Sequence, residues 1–200
     1  LKIGQQIART GSIPTTIELN YPIQGQAWED HEWLTNLASF HIFDKLGYLG
    51  LNIFFALIVL AALLLLHRYL NRHYLQAKSY IALPIFFFLG VLAMQPVLGI
   101  RVQELAILYF VLLLISLDGF ARRGLRKQLL WLIPLFTLWA NTHGSFIFGL
   151  AILCFWLAVQ LFRNGCRKFL GIRLGSHDPL LNRKQLAGYA AIVLAAAAAT

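Results

Sequence analysis

Charge is what this chain has least of. Charged residues make up 12% of its 200 residues, about half the share usual in a water-soluble domain. That is too little to solvate the surface of a soluble protein of this length. Only eight residues are acidic, against 17 lysines and arginines. The net charge of +9 does not signify a nucleic-acid partner, because the bases do not gather on one face. They fall in short clusters between apolar runs, the pattern of cytoplasmic loops in membrane proteins. Cysteine is equally scarce. Cys154 lies in an apolar run and Cys166 in a basic stretch, which excludes a disulfide framework. What is abundant is hydrophobic side chain, at 59%, in long runs from Leu49 onward. Such runs are long enough to cross a bilayer. The expected fold class is all-α: a polytopic helical membrane protein with an N-terminal, outward-facing amphipathic loop and helix segment. The chain opens on Leu1 without a signal peptide and closes inside an alanine-rich run, so we expect it to be a piece of a longer protein.

Two domains are expected, an outer loop over residues 1–47 and a transmembrane helical domain over 48–200. In the loop, Lys2 to Arg9 reads as a short helix broken at Thr10-Gly11-Ser12-Ile13-Pro14, where glycine frees the backbone and proline removes a donor. Thr15 to Gln26 alternates weakly, with turns at Asn20-Tyr21-Pro22 and Gly25. A second helix is expected from Asp30 to Lys45. Trp33, Leu34, Leu37, Phe40 and Leu46 form an apolar stripe on it, which suits a helix lying along the membrane surface. Leu49–Leu70, Tyr80–Leu98 and Val102–Leu117 then read as spans. Residues 129–162 read as a short hairpin, interrupted at Asn141-Thr142-His143-Gly144-Ser145. A basic loop from Arg163 to Lys184 precedes a last span that begins near Leu186, about six spans in all.

Orientation follows from the bases. Arg68, Arg72 and Lys78; Arg122, Arg123, Arg126 and Lys127; and Arg163, Arg167, Lys168, Arg173, Arg183 and Lys184 fall in three loops that the helix parity places on one side. By the positive-inside rule that side is cytoplasmic. Glu18, Glu29, Asp30, Glu32, Asp44 and Glu104 then face outward.

Four polar groups are expected at or near the outward face: Glu29-Asp30-His31-Glu32, Arg101-Val102-Gln103-Glu104, Asn141-Thr142-His143, and Glu18. Polar groups at that depth are costly and usually line a cavity. Carboxylates, an arginine fork and an imidazole together suit a polar, anionic ligand at the lipid boundary. Plainer readings stand beside this: capping acids at a helix start, a snorkelling Arg101, and a structural His143. One alternative is excluded. His31-Glu32 opens like the zinc-protease motif H-E-x-x-H, but Thr35 occupies the second histidine's place, so that ligand set is incomplete. The metal requirement is otherwise open, a divalent cation included.

Gly11-Ser12-Ile13-Pro14, Trp28 and His31-Glu32-Trp33-Leu34 together resemble the first outer loop of bacterial membrane glycosyltransferases of the GT-C superfamily. The nearest likeness is to uncharacterised members related to the family-39 and Rgt-like enzymes. Arg101-Val102-Gln103 resembles their R-P-Q element, with valine replacing proline. Trp139-Ala140-Asn141-Thr142-His143-Gly144-Ser145 resembles their W-x-N-x-H-G element. The resemblance implies an enzyme of the bacterial inner or plasma membrane that takes sugar from a polyprenyl-phosphate donor on the outer face. Its partners would be membrane lipid and the lipid-linked sugar, with no nucleic acid. The superfamily's key acid follows its first spanning helix, which here would precede Leu1. Within the chain, Asp30 and Glu32 are then the candidate catalytic carboxylates. His31, Arg101, Gln103, Asn141 and His143 are the candidate substrate-binding residues. Two rival functions remain: a transporter or flippase of a lipid-linked or anionic solute, and a non-catalytic membrane subunit. Donor sugar, acceptor and oligomeric state are not specified by these residues.

Overall fold

A computed structural model describes residues 1–17, 22, 24–28, 30–73, 82–95, 98–123, 129–170 and 183–198. Seven helices are found among them: α1 Lys2–Thr10, α2 Trp33–His73, α3 Ala82–Met94, α4 Gln103–Arg123, α5 Leu132–Ala140, α6 Phe146–Leu170 and α7 Arg183–Ala198. The only strand-like pairing among the described residues is one antiparallel bridge between Thr16 and Ala27. It is closed by Ile17 N–H donating to Gln26 O at 3.0 Å and Trp28 N–H to Thr15 O at 2.9 Å. The expected turn at Gly25 lies inside this pairing; Asn20 and Tyr21 lie outside the described residues. The protein is therefore all-α. Three helices, α2, α4 and α6, are long and apolar enough to cross a membrane, which makes it an integral membrane protein.

α2 contains two helices in one. Gly47 has φ 63° and ψ −159°, a left-handed conformation that a side chain would resist. The break falls where the sequence separates an amphipathic segment from an apolar run. After it, residues 48–73 extend for about 39 Å at helical rise, more than the roughly 30 Å hydrocarbon core. Leu51, Phe55, Val59 and Ala62 are buried on one face. Ile53, Leu57, Leu60 and Leu64 are exposed on another, as a lipid-facing stripe requires. Before the break, α1 lies against residues 33–46. A Cβ built at Gly4 would collide with the Asn36 carbonyl and come within 2.8 Å of Phe40 Cβ, so only glycine allows this approach.

Several helices outrun their sequence-predicted limits. α4 continues through Asp118 to Arg123 instead of stopping at Leu117. An Asp118–Arg122 ion pair of 2.7 Å at i,i+4 spacing supports that last turn. α6 runs through Arg163, Arg167 and Lys168 to Leu170, so the first eight residues of the expected basic loop are helical; residues 171–182 lie outside the described residues. Cations in its last turn favour the continuation, since they face the negative end of the helix dipole. α7 starts at Arg183 rather than near Leu186. α3 spans Ala82–Met94; the outer ends of the expected span, Tyr80, Ile81, Pro96 and Val97, lie outside the described residues. α5 has nine residues, about 14 Å, the short hairpin arm that the sequence implies.

The chain packs as two compact units. One comprises Leu1–Val111 with Asn141–His143, the other Leu112–Ala140 with Gly144–Thr200. The kink at Gly47 lies within the first unit. In the second unit the rings of Phe120, Trp156 and Tyr189 pack together, Trp156 and Tyr189 at 4.6 Å between centroids. The Tyr189 hydroxyl donates to Leu153 O at 2.9 Å. Trp139 is fully buried. Its indole N–H donates to Ser145 Oγ at 2.9 Å, and a Cβ at Gly149 would lie 2.6 Å from its ring.

Candidate functional site

The lead-in to α2 is shaped by Asp30. Its Oδ1 accepts the Glu32 backbone N–H at 2.9 Å, the short-range bond that lets an aspartate turn the chain. Its Oδ2 accepts the Asn36 side-chain N–H at 2.9 Å. Trp33 N–H reaches back to Asp30 O at 3.3 Å, and Asn36 N–H to Glu32 O at 2.8 Å. Asp30 is only 6% exposed, with both carboxylate oxygens engaged.

The hairpin tip docks onto this turn within the first unit. Trp33 donates its indole N–H to Asn141 Oδ1 at 2.7 Å. Leu34 N–H donates to Asn141 O at 3.2 Å, and Thr35 Oγ1 donates to Thr142 O at 2.9 Å. Thr142 Oγ1 donates to the Tyr109 hydroxyl at 3.0 Å. These bonds set His143 Nε2 3.8 Å from Glu32 Oε1. Residues that lie more than a hundred positions apart in the chain are thus brought into one polar group.

Within that group Glu32 is the carboxylate available for chemistry. Its side chain is 38% exposed, half inside and half reachable by solvent. Burial pushes its carboxyl above the ordinary carboxylate range. The His143 charge opposes that rise, Asp30 adds to it, and His31 opposes it. A carboxyl raised in this way stands closer to neutral pH, where it exchanges protons more effectively with a substrate.

Asp30, Glu32, Asn141 and His143 therefore converge as sequence candidates. His31 is exposed beside them. Glu29 lies outside the described residues. Arg101 is exposed in the turn before α4 and Gln103 is exposed as its first residue; among the described residues, no hydrogen bond or ion pair joins them to the Asp30–His143 group. That turn is held by Glu104, 2% exposed, whose Oε1 accepts Gly99 N–H at 2.5 Å. The residues that sequence reasoning missed are Trp33, Thr35, Asn36, Thr142 and Tyr109 in their hydrogen-bonding roles. Their only signal in the sequence is a hydrogen-bonding group within or beside apolar surroundings. Among the described residues, no three His, Cys, Asp or Glu side chains are grouped to hold a metal ion.

Fold and site together define an integral membrane protein with an acid–imidazole pair, Glu32 and His143, at the start of α2. Neither family models, nor curated proteins, nor solved structures give a match to the chain.

Proposed function

We propose that the chain belongs to a GT-C-like glycosyltransferase that moves sugar from a polyprenyl-phosphate donor to an acceptor hydroxyl. The reading places it in a bacterial inner or plasma membrane, with residues 1–47 outward and the basic segments cytoplasmic. The observation that carries it is the pairing of half-buried Glu32 with His143, beside an Asp30 already engaged by the Glu32 N–H and the Asn36 side chain. Glu32 takes the proton of the acceptor hydroxyl as the oxygen lone pair bonds to the anomeric carbon. The bond from that carbon to the phosphate oxygen breaks, and the electron pair leaves with the polyprenyl phosphate. A ring N–H of His143 and the Arg101 guanidinium offset the charge growing on that phosphate. Asp30 shapes the turn that presents Glu32.

The test is transfer from radiolabelled polyprenyl-phosphate hexose or pentose in membranes carrying the protein. Glu32→Gln is expected to lower the rate by about a hundredfold or more, in the range of general-base catalysis. His143→Ala is expected to lower it by about tenfold, and Arg101→Ala similarly. Wild-type rates in Glu32→Gln and His143→Ala would refute the reading. Movement of the labelled lipid between leaflets without transfer would favour a flippase instead.

A further inference from the structure

The hairpin tip is fastened by hydroxyls where apolar side chains would fill the same space. Thr35 is 2% exposed, Tyr109 4% and Thr142 5%. Their polar groups run in series, from Thr35 Oγ1 to the Thr142 carbonyl and from Thr142 Oγ1 to the Tyr109 hydroxyl. The series joins three segments: the first turn of α2, the tip, and α4. Valine has nearly the shape of threonine, and phenylalanine nearly that of tyrosine. A buried hydroxyl must find a partner or cost about 1–3 kcal/mol, so volume alone does not call for hydroxyls here. What they add is direction, because a hydrogen bond fixes the position of both partners.

His143 follows Thr142 in the chain, and consecutive Cα atoms are only about 3.8 Å apart. Whatever holds Thr142 therefore holds His143. α4 carries Tyr109 on the same helix that begins at Gln103, so one rigid element anchors the tip and starts at the Arg101 turn.

We propose that Thr142 and Tyr109 are positioning residues, a buried hydroxyl latch that keeps His143 beside Glu32. The functional meaning of this latch rests on the reading of Glu32 and His143 as the working pair; its test does not.

The test is a double-substitution cycle on the Glu32 carboxyl. Its titration is followed by infrared difference spectroscopy on protein in nanodiscs, with Glu32→Gln as the blank. The charges acting on Glu32 are those of His143, Asp30 and His31. Because the His143 charge opposes the effect of burial, His143→Gln is expected to raise the Glu32 midpoint in the otherwise unaltered protein. With Thr142→Val or Tyr109→Phe present, the same His143→Gln change is expected to give no rise. Thr142→Ser keeps the hydroxyl and is expected to preserve the rise. An equal rise in every background would overturn the proposal, and so would no rise in the unaltered protein. Circular dichroism of each variant separates a lost latch from a lost fold. Sugar transfer measured on the same proteins judges the proposed activity independently: normal transfer by Glu32→Gln sinks that activity and leaves the titration to decide the latch.

Discussion

Removing the Asp30 carboxylate separates a turn-forming role from a chemical one. Asp30→Ala deletes two hydrogen bonds of 2.9 Å, those from Glu32 N–H and from the Asn36 side chain. Both donors sit in a part-buried setting, where each lost bond costs about 1 kcal/mol. The lead-in to α2 should therefore lose about 2 kcal/mol of local stability, a shift of roughly thirtyfold in its opening equilibrium. Hydrogen exchange reads that equilibrium residue by residue. Amides from Glu32 to Asn36 are expected to exchange roughly thirtyfold faster in Asp30→Ala, while those in residues 48–73 stay unchanged. Asp30→Asn retains an oxygen for the Glu32 N–H but turns an amide toward Asn36, so about half the loss is expected. Sugar transfer should fall much less in Asp30→Asn than in Glu32→Gln. Unaltered exchange in Asp30→Ala, with transfer as low as in Glu32→Gln, would refute the reasoning and make Asp30 the chemical group.

Three further outcomes follow from the same geometry. Gly149→Ala places a methyl 2.6 Å from Trp139 Cζ3 and 3.0 Å from Phe136 Cζ; a fully buried indole cannot yield easily, and a loss of about 1–3 kcal/mol is expected, measured as a lower thermal midpoint in detergent. Gly4→Ala meets the Asn36 backbone carbonyl, so α1 should detach from α2 and become sensitive to protease, with little change in the apolar helices. The third concerns pH: burial raises the Glu32 carboxyl, so the folded state binds its proton more tightly than the unfolded state does. The resulting stability is complete below the ordinary carboxylate range and is lost as pH rises through the raised value. The wild-type thermal midpoint should therefore fall over that window relative to Glu32→Gln, and parallel curves for the two proteins would contradict it.

The sequence was most legible where one physical effect dominated. Apolar length located residues 48–73, α4 and α6, because a bilayer core demands it. Gly11 closes α1 where expected, at φ 67° with its N–H donating to Ile7 O. Helix ends were less legible. Asp118, Arg122, Arg163 and Lys168 looked like loop residues by polarity, yet helical spacing and the helix dipole make them good terminal residues. The candidate site was legible as separate polar clusters, of which Glu18 lies outside the described residues. What could not be read was which of them meet, since contact between Glu32 and His143 is set by the path of the chain. Nor could Asp30 and Glu32 be ranked. The ranking depends on which carboxylate the backbone consumes, and adjacent acids give no hint of that.

The distribution of buried polar groups bears on how the Glu32–His143 pair is held. Six polar or charged side chains are buried among the described residues: Asp30, Thr35, Glu104, Ser116, Thr142 and Gln160. Ser116 bonds to Leu112 O within its own helix at 2.7 Å, a local solution that constrains no other element. Gln160 has an Oε1 without a partner among the described residues. The remaining four all belong to the first unit, and each fixes a turn or a junction rather than a helix interior. Asp30 shapes the start of α2, Glu104 the turn before α4, and Thr35 with Thr142 the seat of the tip. Apolar side chains would pack these places without the desolvation cost of about 1–3 kcal/mol that a poorly paired hydroxyl or amide incurs. Paired as they are, these groups stabilise the turns they hold, but filling space does not by itself require polar side chains there. Under the proposed function, fixed placement of Glu32, His143 and the Arg101 turn would give a reason for them, because catalytic and binding groups need supporting hydrogen bonds to hold their geometry. On this argument, replacing Thr35 by valine should disturb the Glu32–His143 distance more than it disturbs stability.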